Sequence, residues 1–204
     1  MKKTAIQFSI MSVMVVGALA LQSFQNKTEM KEKKVKIVVV EKTSEIINAT
    51  ADRVWEITGP GFGEVGKWST TVDHATISGE PEFEGAVCST RSCDLNAKGF
   101  SSINEKITAY DAKNKTLSFD IVEGVPGFVT RAYSHWEVIK VSETTSKLKV
   151  TTTMEMKKFM GGLMGGMIEK TINKTIPLIQ SDLKVYAETG EVSESKKARM
   201  ASLN

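Results

Sequence analysis

Apolar and polar residues alternate with a period of two along the middle of the chain, from about residue 75 to residue 156. Alternation of this kind predicts β-strands that bury one face. Clusters of Gly, Pro, Asn and Asp interrupt the pattern, and such clusters form turns. The predicted strands cover residues 76–78, 86–94, 100–111, 116–122, 129–141 and 147–156. Because short turns join consecutive strands, we expect antiparallel hairpins.

The segment before these strands predicts one further strand and two short helices. Residues 35–47 are rich in β-branched side chains and are predicted to form a long strand. Thr50 has a side chain suited to capping a helix N-terminus, and residues 51–57 follow with a helical pattern. Gly59-Pro60-Gly61 ends this helix, and residues 62–68 predict a second short helical turn.

The last part of the chain predicts one long amphipathic helix over residues 159–188. Apolar side chains recur there at every third or fourth position, at Met160, Met164, Ile168, Ile172, Ile176, Ile179 and Leu183. Gly190 suits the left-handed position that follows a helix. Residues 191–204 are polar and are expected to form a flexible tail.

This order of elements predicts the α+β class. We expect a curved antiparallel sheet of six to seven strands around the long C-terminal helix, with two short helices after the first strand. The interior of such a sheet is too wide for side chains alone to fill. The pattern therefore predicts a cavity between the sheet and the helix.

The N-terminus has the pattern of a bacterial-type signal peptide over residues 1–20. Lys2 and Lys3 precede an uncharged apolar run of 17 residues, and Ala18-Leu19-Ala20 offers a cleavage site. We expect export to the periplasm or the medium. The alternative is an uncleaved membrane anchor, since the run is near the minimum length that spans a bilayer.

Charge and composition place few further limits on function. Loss of residues 1–20 removes Lys2 and Lys3 and lowers the formal net charge from +3 to +1. No stretch combines clustered Lys and Arg with aromatic residues, so nucleic acid is not expected as a partner. Residues 21–34 are predicted to be a polar linker, and residues 35–190 are long enough for one domain with its own core.

The two cysteines, Cys88 and Cys93, are five residues apart on one predicted strand. On an extended strand they would face opposite sides with Cα atoms about 16 Å apart, beyond the reach of a disulfide. We expect two free thiols that pack as small apolar groups. His74 and His135 are the only histidines and cannot complete a zinc site, so no metal is expected, and no motif points to another cofactor.

The start of the predicted domain resembles a known superfamily. The segment NATADRVWEI, residues 48–57, leads into FGEVGKW, residues 62–68. Both are similar to the first helix and the following aromatic–glycine run of the SRPBCC superfamily, the START-like group of polyketide cyclases, dehydrases and lipid-transfer domains. Residues 103–111 and 183–190 are also similar. The resemblance implies the helix-grip fold, in which an apolar pocket lies between the sheet and the C-terminal helix.

Five of the ten methionines lie between residues 154 and 167, together with four glycines. Methionine suits surfaces that repack around varied apolar ligands. With the pocket that the resemblance implies, this pattern predicts ligand-binding residues at Trp68, Tyr110, Phe119, Tyr133, His135, Met156, Met160, Met164, Met167, Ile168 and Ile172. One alternative is ordinary core packing with a frayed first helical turn. Another is transient contact of the Gly/Met segment with a membrane.

Several polar side chains are ambiguous because their face of the strand is unknown. Strand alternation puts Tyr133 and His135 on one face and Trp136 on the other. An inward His135 would be a candidate general base, but no acidic partner is identifiable on its face apart from Glu137 two residues on, and no catalytic residue is predicted. Arg91 and Arg131 would pair with a ligand carboxylate or phosphate if they faced inward, whereas an outward position is the default.

These observations predict a monomeric, extracytoplasmic protein that binds or transports an apolar small molecule, lipid-like or aromatic. The alternative is an enzyme of the polyketide cyclase/dehydrase kind that uses the same cavity. A third hypothesis is an interaction domain whose pocket is closed. An inward-facing acid–base pair would favour the enzyme, and an apolar pocket would favour the carrier.

Overall fold

The computed structural model describes residues 35–97 and 100–203, and within these ranges seven strands form one sheet. The strands are β1 Val35–Thr43, β2 Val72–Ser78, β3 Thr90–Ala97, β4 Phe100–Asp111, β5 Thr116–Glu123, β6 Val129–Lys140 and β7 Ser146–Lys157. Their order is β1-β7-β6-β5-β4-β3-β2, and all neighbours are antiparallel. The predicted signal peptide and the linker at residues 21–34 lie outside the described residues.

The sequence predicted the number and order of the strands, and their ends differ by up to four residues. The bounds of β4 agree at both ends with the prediction over residues 100–111. The first strand ends at Thr43 instead of continuing to Ile47, because the chain turns there and Ile47 makes an isolated bridge with Ser146. β2 begins earlier and β3 later than the alternation indicated.

Two short helices follow β1, as predicted. Helix α1 spans Ala51–Thr58, and the Oγ1 atom of Thr50 accepts a hydrogen bond of 3.1 Å from the backbone N–H of Arg53. A 3-10 turn, Pro60–Glu64, and a one-turn helix α2, Val65–Trp68, come next. They place Phe62 and Trp68 in the core, where both are almost fully buried.

The long helix α3 spans Lys158–Thr189 and packs against β1 and β7. Asp182 is buried, and the other buried residues of α3 recur at three- and four-residue spacing, at Gly161, Gly165, Ile168, Ile172, Ile176, Gln180, Leu183 and Ala187. Gly190 ends the helix with φ near +75°, and its N–H donates to the Tyr186 carbonyl, which confirms the predicted cap. The curved sheet and this helix confirm the predicted helix-grip fold of the α+β class.

The prediction of a flexible tail after Gly190 is wrong for residues 194–201, which form helix α4, Glu194–Ala201. The side chain of Lys196 is 1% exposed, and its Nζ donates a 2.7 Å hydrogen bond to the carbonyl of Val72. Arg199 makes a bidentate contact with Asp73 at 2.8 and 2.6 Å. The sequence of this segment is polar, yet the segment packs against the domain. The aliphatic parts of Lys196 and Arg199 cover the core, and their charged ends bind Val72 and Asp73 on β2.

The described residues form one compact unit, and their buried apolar residues make one continuous core. Among the described residues, no helix combines the length and the apolarity that crossing a bilayer requires.

Candidate functional site

The concave face of the sheet can be identified from the burial pattern of β6. Ala132, Ser134, Trp136 and Val138 are buried, whereas the residues between them are half-buried. Successive side chains on a strand point to opposite faces, so the even-numbered residues of β6 face the core and α3. Ser134 and Trp136 therefore belong to the face that would contact a ligand.

Tyr133 and His135 lie on the opposite, convex face, away from the side on which the sequence predicted ligand contact. The Nδ1 atom of His135 lies 2.8 Å from the Ser118 hydroxyl on the neighbouring strand. The guanidinium of Arg131 stacks 4.4 Å from the Tyr133 ring centroid and pairs with Asp120 at 2.9 Å. Arg131 is half-exposed, which agrees with the default that the sequence indicated.

Arg91 faces inward and forms a buried ion pair with Glu105 on the neighbouring strand. The Arg91 Nε donates to Glu105 Oε2 at 2.7 Å, and Nη2 lies 2.6 Å from the same oxygen. The Nη1 atom donates to the carbonyl of Phe62, and the guanidinium lies 3.7 Å from the centroid of the Phe62 ring. Both charged side chains are about 5% exposed, so the pair is almost fully removed from water.

Sequence reasoning missed this pair because it treated an outward Arg91 as the default. A signal was present, since Arg91 alternates with Cys93 and Leu95 along the strand. Cys93 is 1% exposed and Leu95 packs against the core, so the apolar face of β3 is also the face of Arg91. Alternation alone would have placed the guanidinium inside.

Both cysteines are free thiols and are buried. The Cys93 Sγ lies 3.5 Å from Glu105 Oε2, to which its S–H donates. Burial raises the pKa of the Cys93 thiol to about 12, and burial also raises the pKa of Cys88. Cys93 is thus held protonated at neutral pH and is a poor nucleophile.

An apolar and only partly buried lining continues from the ion pair across the concave face. Ile121 lies beside Glu105 in the register of β4 with β5, and Met154 lies beside Ala132 in the register of β6 with β7. We call the set formed by Ile103, Ile121, Met154 and Met164 the apolar lining. All four side chains pack against the core while remaining partly exposed to solvent. The ion pair therefore borders a surface that an apolar molecule can cover.

Part of the predicted methionine and isoleucine set belongs to this region. Met164 is in the apolar lining, and Met160 is also half-buried. Met156, Ile168 and Ile172 are buried in the core between α3 and the sheet, as ordinary packing predicts. Met167, which the sequence also predicted to bind the ligand, is 57% exposed on the outer face of α3 and does not belong to the apolar lining. The helix turns it away because it lies two positions, or about 200°, after the buried Gly165.

The glycines of this segment have two different surroundings. A Cβ added to Gly161 would lie 2.6 Å from the Lys36 Cβ and 3.1 Å from the Met156 Cβ. Gly165 also faces this contact, whereas a Cβ on Gly162 or on Gly166 would meet nothing within 4 Å. Gly161 thus allows α3 to approach β1 closely, which is the backbone approach that glycine permits.

The predicted aromatic residues lie deeper than the apolar lining. Phe119 is 4% exposed and its ring lies between Phe62, at 5.6 Å, and Trp136, at 6.0 Å. Trp68 is 1% exposed, so almost none of its side chain is open to solvent. Tyr110 is half-buried against Trp55 at 5.1 Å, and burial raises the pKa of its hydroxyl.

Polar atoms on the inner side differ in how well they are satisfied. The Trp136 Nε1 donates to the Ser134 hydroxyl at 3.2 Å, and that hydroxyl lies 2.9 Å from the hydroxyl of Thr152. The Trp68 Nε1 and the Tyr110 hydroxyl are buried without a hydrogen-bond partner among the described residues. Unsatisfied buried polar groups are uncommon and are candidates for contact with a bound molecule.

Two clefts lie outside the concave face. One, of about 70 Å³, lies between α1, α2 and α3 and is lined by Arg53, Glu56, Ile57, Glu64, Trp68 and Tyr186. The other, of about 300 Å³, is an open groove lined by Lys42, Thr43, Ser44, Glu45, Pro177, Gln180, Ser181 and Lys184. Neither cleft includes the apolar lining. The walls of the smaller cleft are mainly polar and do not suit an apolar ligand.

Comparison with known proteins agrees with this architecture. A family model described as polyketide cyclase/dehydrase and lipid transport matches residues 38–179. The chain belongs to this family. The match covers β1 through most of α3 and confirms the resemblance to the START-like SRPBCC superfamily. A search of curated proteins finds no match to the chain.

Solved structures show that members of several kinds share the fold. A START superfamily protein from Mycobacterium smegmatis has a TM-score of 0.62 at 17% identity, covering 75% of this chain and 99% of its own. Truncated norcoclaurine synthase from Thalictrum flavum has a TM-score of 0.60 at 15% identity, with coverages of 78% and 97%. The Zhui aromatase/cyclase from Streptomyces has a TM-score of 0.58 at 11% identity, with coverages of 78% and 100%. At such identities the similarity shows only the fold, and the activity has to be argued from the residues of the site.

Proposed function

We propose that this protein binds and carries an apolar small molecule on the concave face of the sheet, beneath the first half of α3. The observation that carries the proposal is the apolar lining, which remains partly exposed although it lies next to the core. The family description, which includes lipid transport, supports the same class of ligand. A bound acyl chain or aromatic ring would remove this lining from water, which is favourable at about 25 cal/mol per Å².

Ligand entry requires the lining to rearrange. We propose that the side chains of Met154, Met160 and Met164, which are half-buried, repack around a guest. Methionine has three rotatable bonds and does this at low cost. The glycines at positions 162 and 166 face open space and lower the helix propensity of this half of α3. The first turns of α3 are therefore the part of the fold best suited to open.

The buried ion pair gives the ligand site one polar end. Arg91 and Cys93 donate to Oε2 of Glu105, so within the described residues Oε1 is available as an acceptor. The guanidinium of Arg91 already pairs with a carboxylate, which disfavours an acidic ligand headgroup. We therefore propose a ligand with an apolar body and a hydroxyl or amino group at one end.

The geometry supports binding better than catalysis. His135 is on the convex face and His74 is exposed on β2, so neither histidine reaches the concave face. The thiol of Cys93 is held protonated, and Arg91 neutralises Glu105. The alternative, a cyclase-like or dehydrase-like enzyme, is favoured by one observation: the buried Tyr110 hydroxyl lacks a partner and could donate a proton to a bound substrate.

We propose that the protein works outside the cytoplasm. The support is the N-terminal sequence, in which Lys2 and Lys3 precede an apolar run that ends near Ala18-Leu19-Ala20. The mass of the protein isolated from its own host tests this. A mature chain that begins at Leu21 supports export, and an intact Met1 terminus in the soluble cytoplasmic fraction contradicts it.

Native mass spectrometry of the protein purified from its host tests the binding function. We expect a population with an added mass that denaturing solvent releases as an apolar compound with a hydroxyl or amino group. A single unliganded mass, together with no displacement of a fluorescent lipid in solution, would contradict the carrier. A released compound that is converted to a new mass on incubation with fresh protein would favour the enzyme instead.

A further inference from the structure

The first half of α3 exposes a row of large apolar side chains to solvent. Phe159, Leu163 and Met167 are 77%, 66% and 57% exposed. Residues four apart lie on the same side of a helix, so the three form one continuous strip. We call this strip the α3 stripe. Exposed apolar patches of this kind mark surfaces that bind a partner or a membrane.

The stripe has no role in holding α3 on the sheet. The buried side of this half of the helix is formed by Gly161, Gly165 and Ile168, which face β1 and β7. Met164, part of the apolar lining, lies between the buried side and the stripe. The stripe is thus an outward surface next to the proposed ligand site, and its exposure is not explained by folding.

Basic residues continue the face of the stripe along the helix. Lys170 and Lys174 follow Phe159 by 11 and 15 positions. At 100° per residue, both lysines lie on the same side of the helix as the stripe. Lys174 is about 22 Å from Phe159 along the helix axis. Neither lysine makes an ion pair within the described chain, where the ion pair of α3 is between Lys184 and Glu188. The nearest acid on the helix, Glu169, lies about 120° away from the stripe.

We infer that the α3 stripe docks the protein on a membrane that contains anionic lipid. Phe159, Leu163 and Met167 would enter the headgroup region, and the lysines would contact lipid phosphates. A second copy of this chain fits less well, because two such faces would bring Lys170 and Lys174 against like charges. Docking would also place Met164 and the apolar lining beside the bilayer, from which an apolar ligand would enter.

Vesicle co-sedimentation of a chain that starts at Lys34 tests this inference without interference from the N-terminal apolar segment. We expect binding to phosphatidylcholine vesicles that contain phosphatidylglycerol, weaker binding to pure phosphatidylcholine, and a loss of binding at high salt. The variants F159S/L163S and K170E/K174E should each lower the partition coefficient at least about tenfold. V122S, which removes a valine 54% exposed on the convex face, is the control and should bind as the parent chain does.

Equal binding by the parent chain and both double variants, or no preference for anionic vesicles, would overturn the inference. A dimer in sedimentation equilibrium that F159S/L163S dissociates would identify the stripe as an interface between copies and would overturn it too. Docking does not depend on the proposed ligand. In solution, the stripe variants should bind a fluorescent lipid with unchanged affinity, so failure of docking and failure of ligand binding are separate results.

Discussion

Arg91 and Glu105 face each other across β3 and β4 inside the concave side of the sheet, with their charged atoms 2.6 Å apart and almost no exposure to water. The aromatic ring of Phe62 covers the guanidinium at 3.7 Å. The pair thus joins the strands to the 3-10 turn and also borders the apolar lining. It gives this concave face a buried pair of opposite charges.

Loss of one partner of this pair should destabilise the fold strongly. Arg91→Met leaves the Glu105 carboxylate buried without its cation, which costs about 3–5 kcal/mol of unfolding free energy. R91M/E105L removes both charges and should recover most of the loss. Urea denaturation followed by circular dichroism measures these differences.

The matched control is the convex pair of Arg131 with Asp120 on β6 and β5. Arg131 is half-exposed, so Arg131→Met should leave the midpoint of urea unfolding almost unchanged. If R91M and R131M changed that midpoint equally, the claim that burial makes the inner pair more sensitive to the loss of its arginine would be wrong.

The two kinds of glycine in α3 should respond in opposite directions to alanine. Gly161→Ala places a Cβ 2.6 Å from the Lys36 Cβ and forces α3 away from β1, which lowers stability. Gly162→Ala meets nothing within 4 Å and should raise stability by about 0.5–1 kcal/mol through helix propensity. Thermal unfolding of both variants tests whether α3 and β1 are in close contact at Gly161. An increase in the stability of Gly161→Ala would contradict this close contact.

Cys93 should make the fold less stable in alkaline solution. Its pKa is raised to about 12 by burial, whereas a thiol in the unfolded chain loses its proton near about pH 8.5. Between these values the folded chain retains a proton that the unfolded chain releases, so the free energy of unfolding falls as pH rises. The slope of stability against pH above about 8.5 should be smaller in Cys93→Ala. An unchanged slope, or rapid alkylation of the native thiol at neutral pH, would contradict this.

The C-terminal helix α4 should contribute to stability through Lys196. Lys196→Ala removes a buried stem and leaves the Val72 carbonyl without its 2.7 Å donor, at a cost of about 1–3 kcal/mol. Lys197→Ala, one position further, changes an exposed side chain that pairs with Glu194 and should leave the unfolding midpoint almost unchanged. If Lys196→Ala and Lys197→Ala have the same unfolding midpoint, Lys196 does not hold α4 against β2.

The sequence predicted the fold more completely than the site. Period-two alternation, turn residues and the apolar spacing of α3 identify all seven strands, the two short helices and the long helix, because each signal is local. The same rules left the inward face of β6 undecided, since alternation separates Tyr133 from Trp136 without saying which is inside. That decision depends on where α3 packs.

The polar features were harder to predict for a different reason. Arg91 and Lys196 are charged, and an exposed position is the usual default for such residues. Each is buried because a specific partner on another element satisfies it: Glu105 on the neighbouring strand for Arg91, and the Val72 carbonyl for Lys196. Only the alternation of Arg91 with Cys93 carried a local sign of burial.

The most direct test of the central claim is the affinity for a fluorescent lipid in Ile121→Trp and Val122→Trp, measured by displacement on folded protein. These neighbours on β5 face opposite sides of the sheet, Ile121 in the apolar lining and Val122 on the convex face, where it is 54% exposed. We predict that the indole in Ile121→Trp fills the ligand space and weakens binding at least tenfold, while Val122→Trp binds as the parent chain does. Equal affinities of the two variants would contradict a ligand site on the concave face.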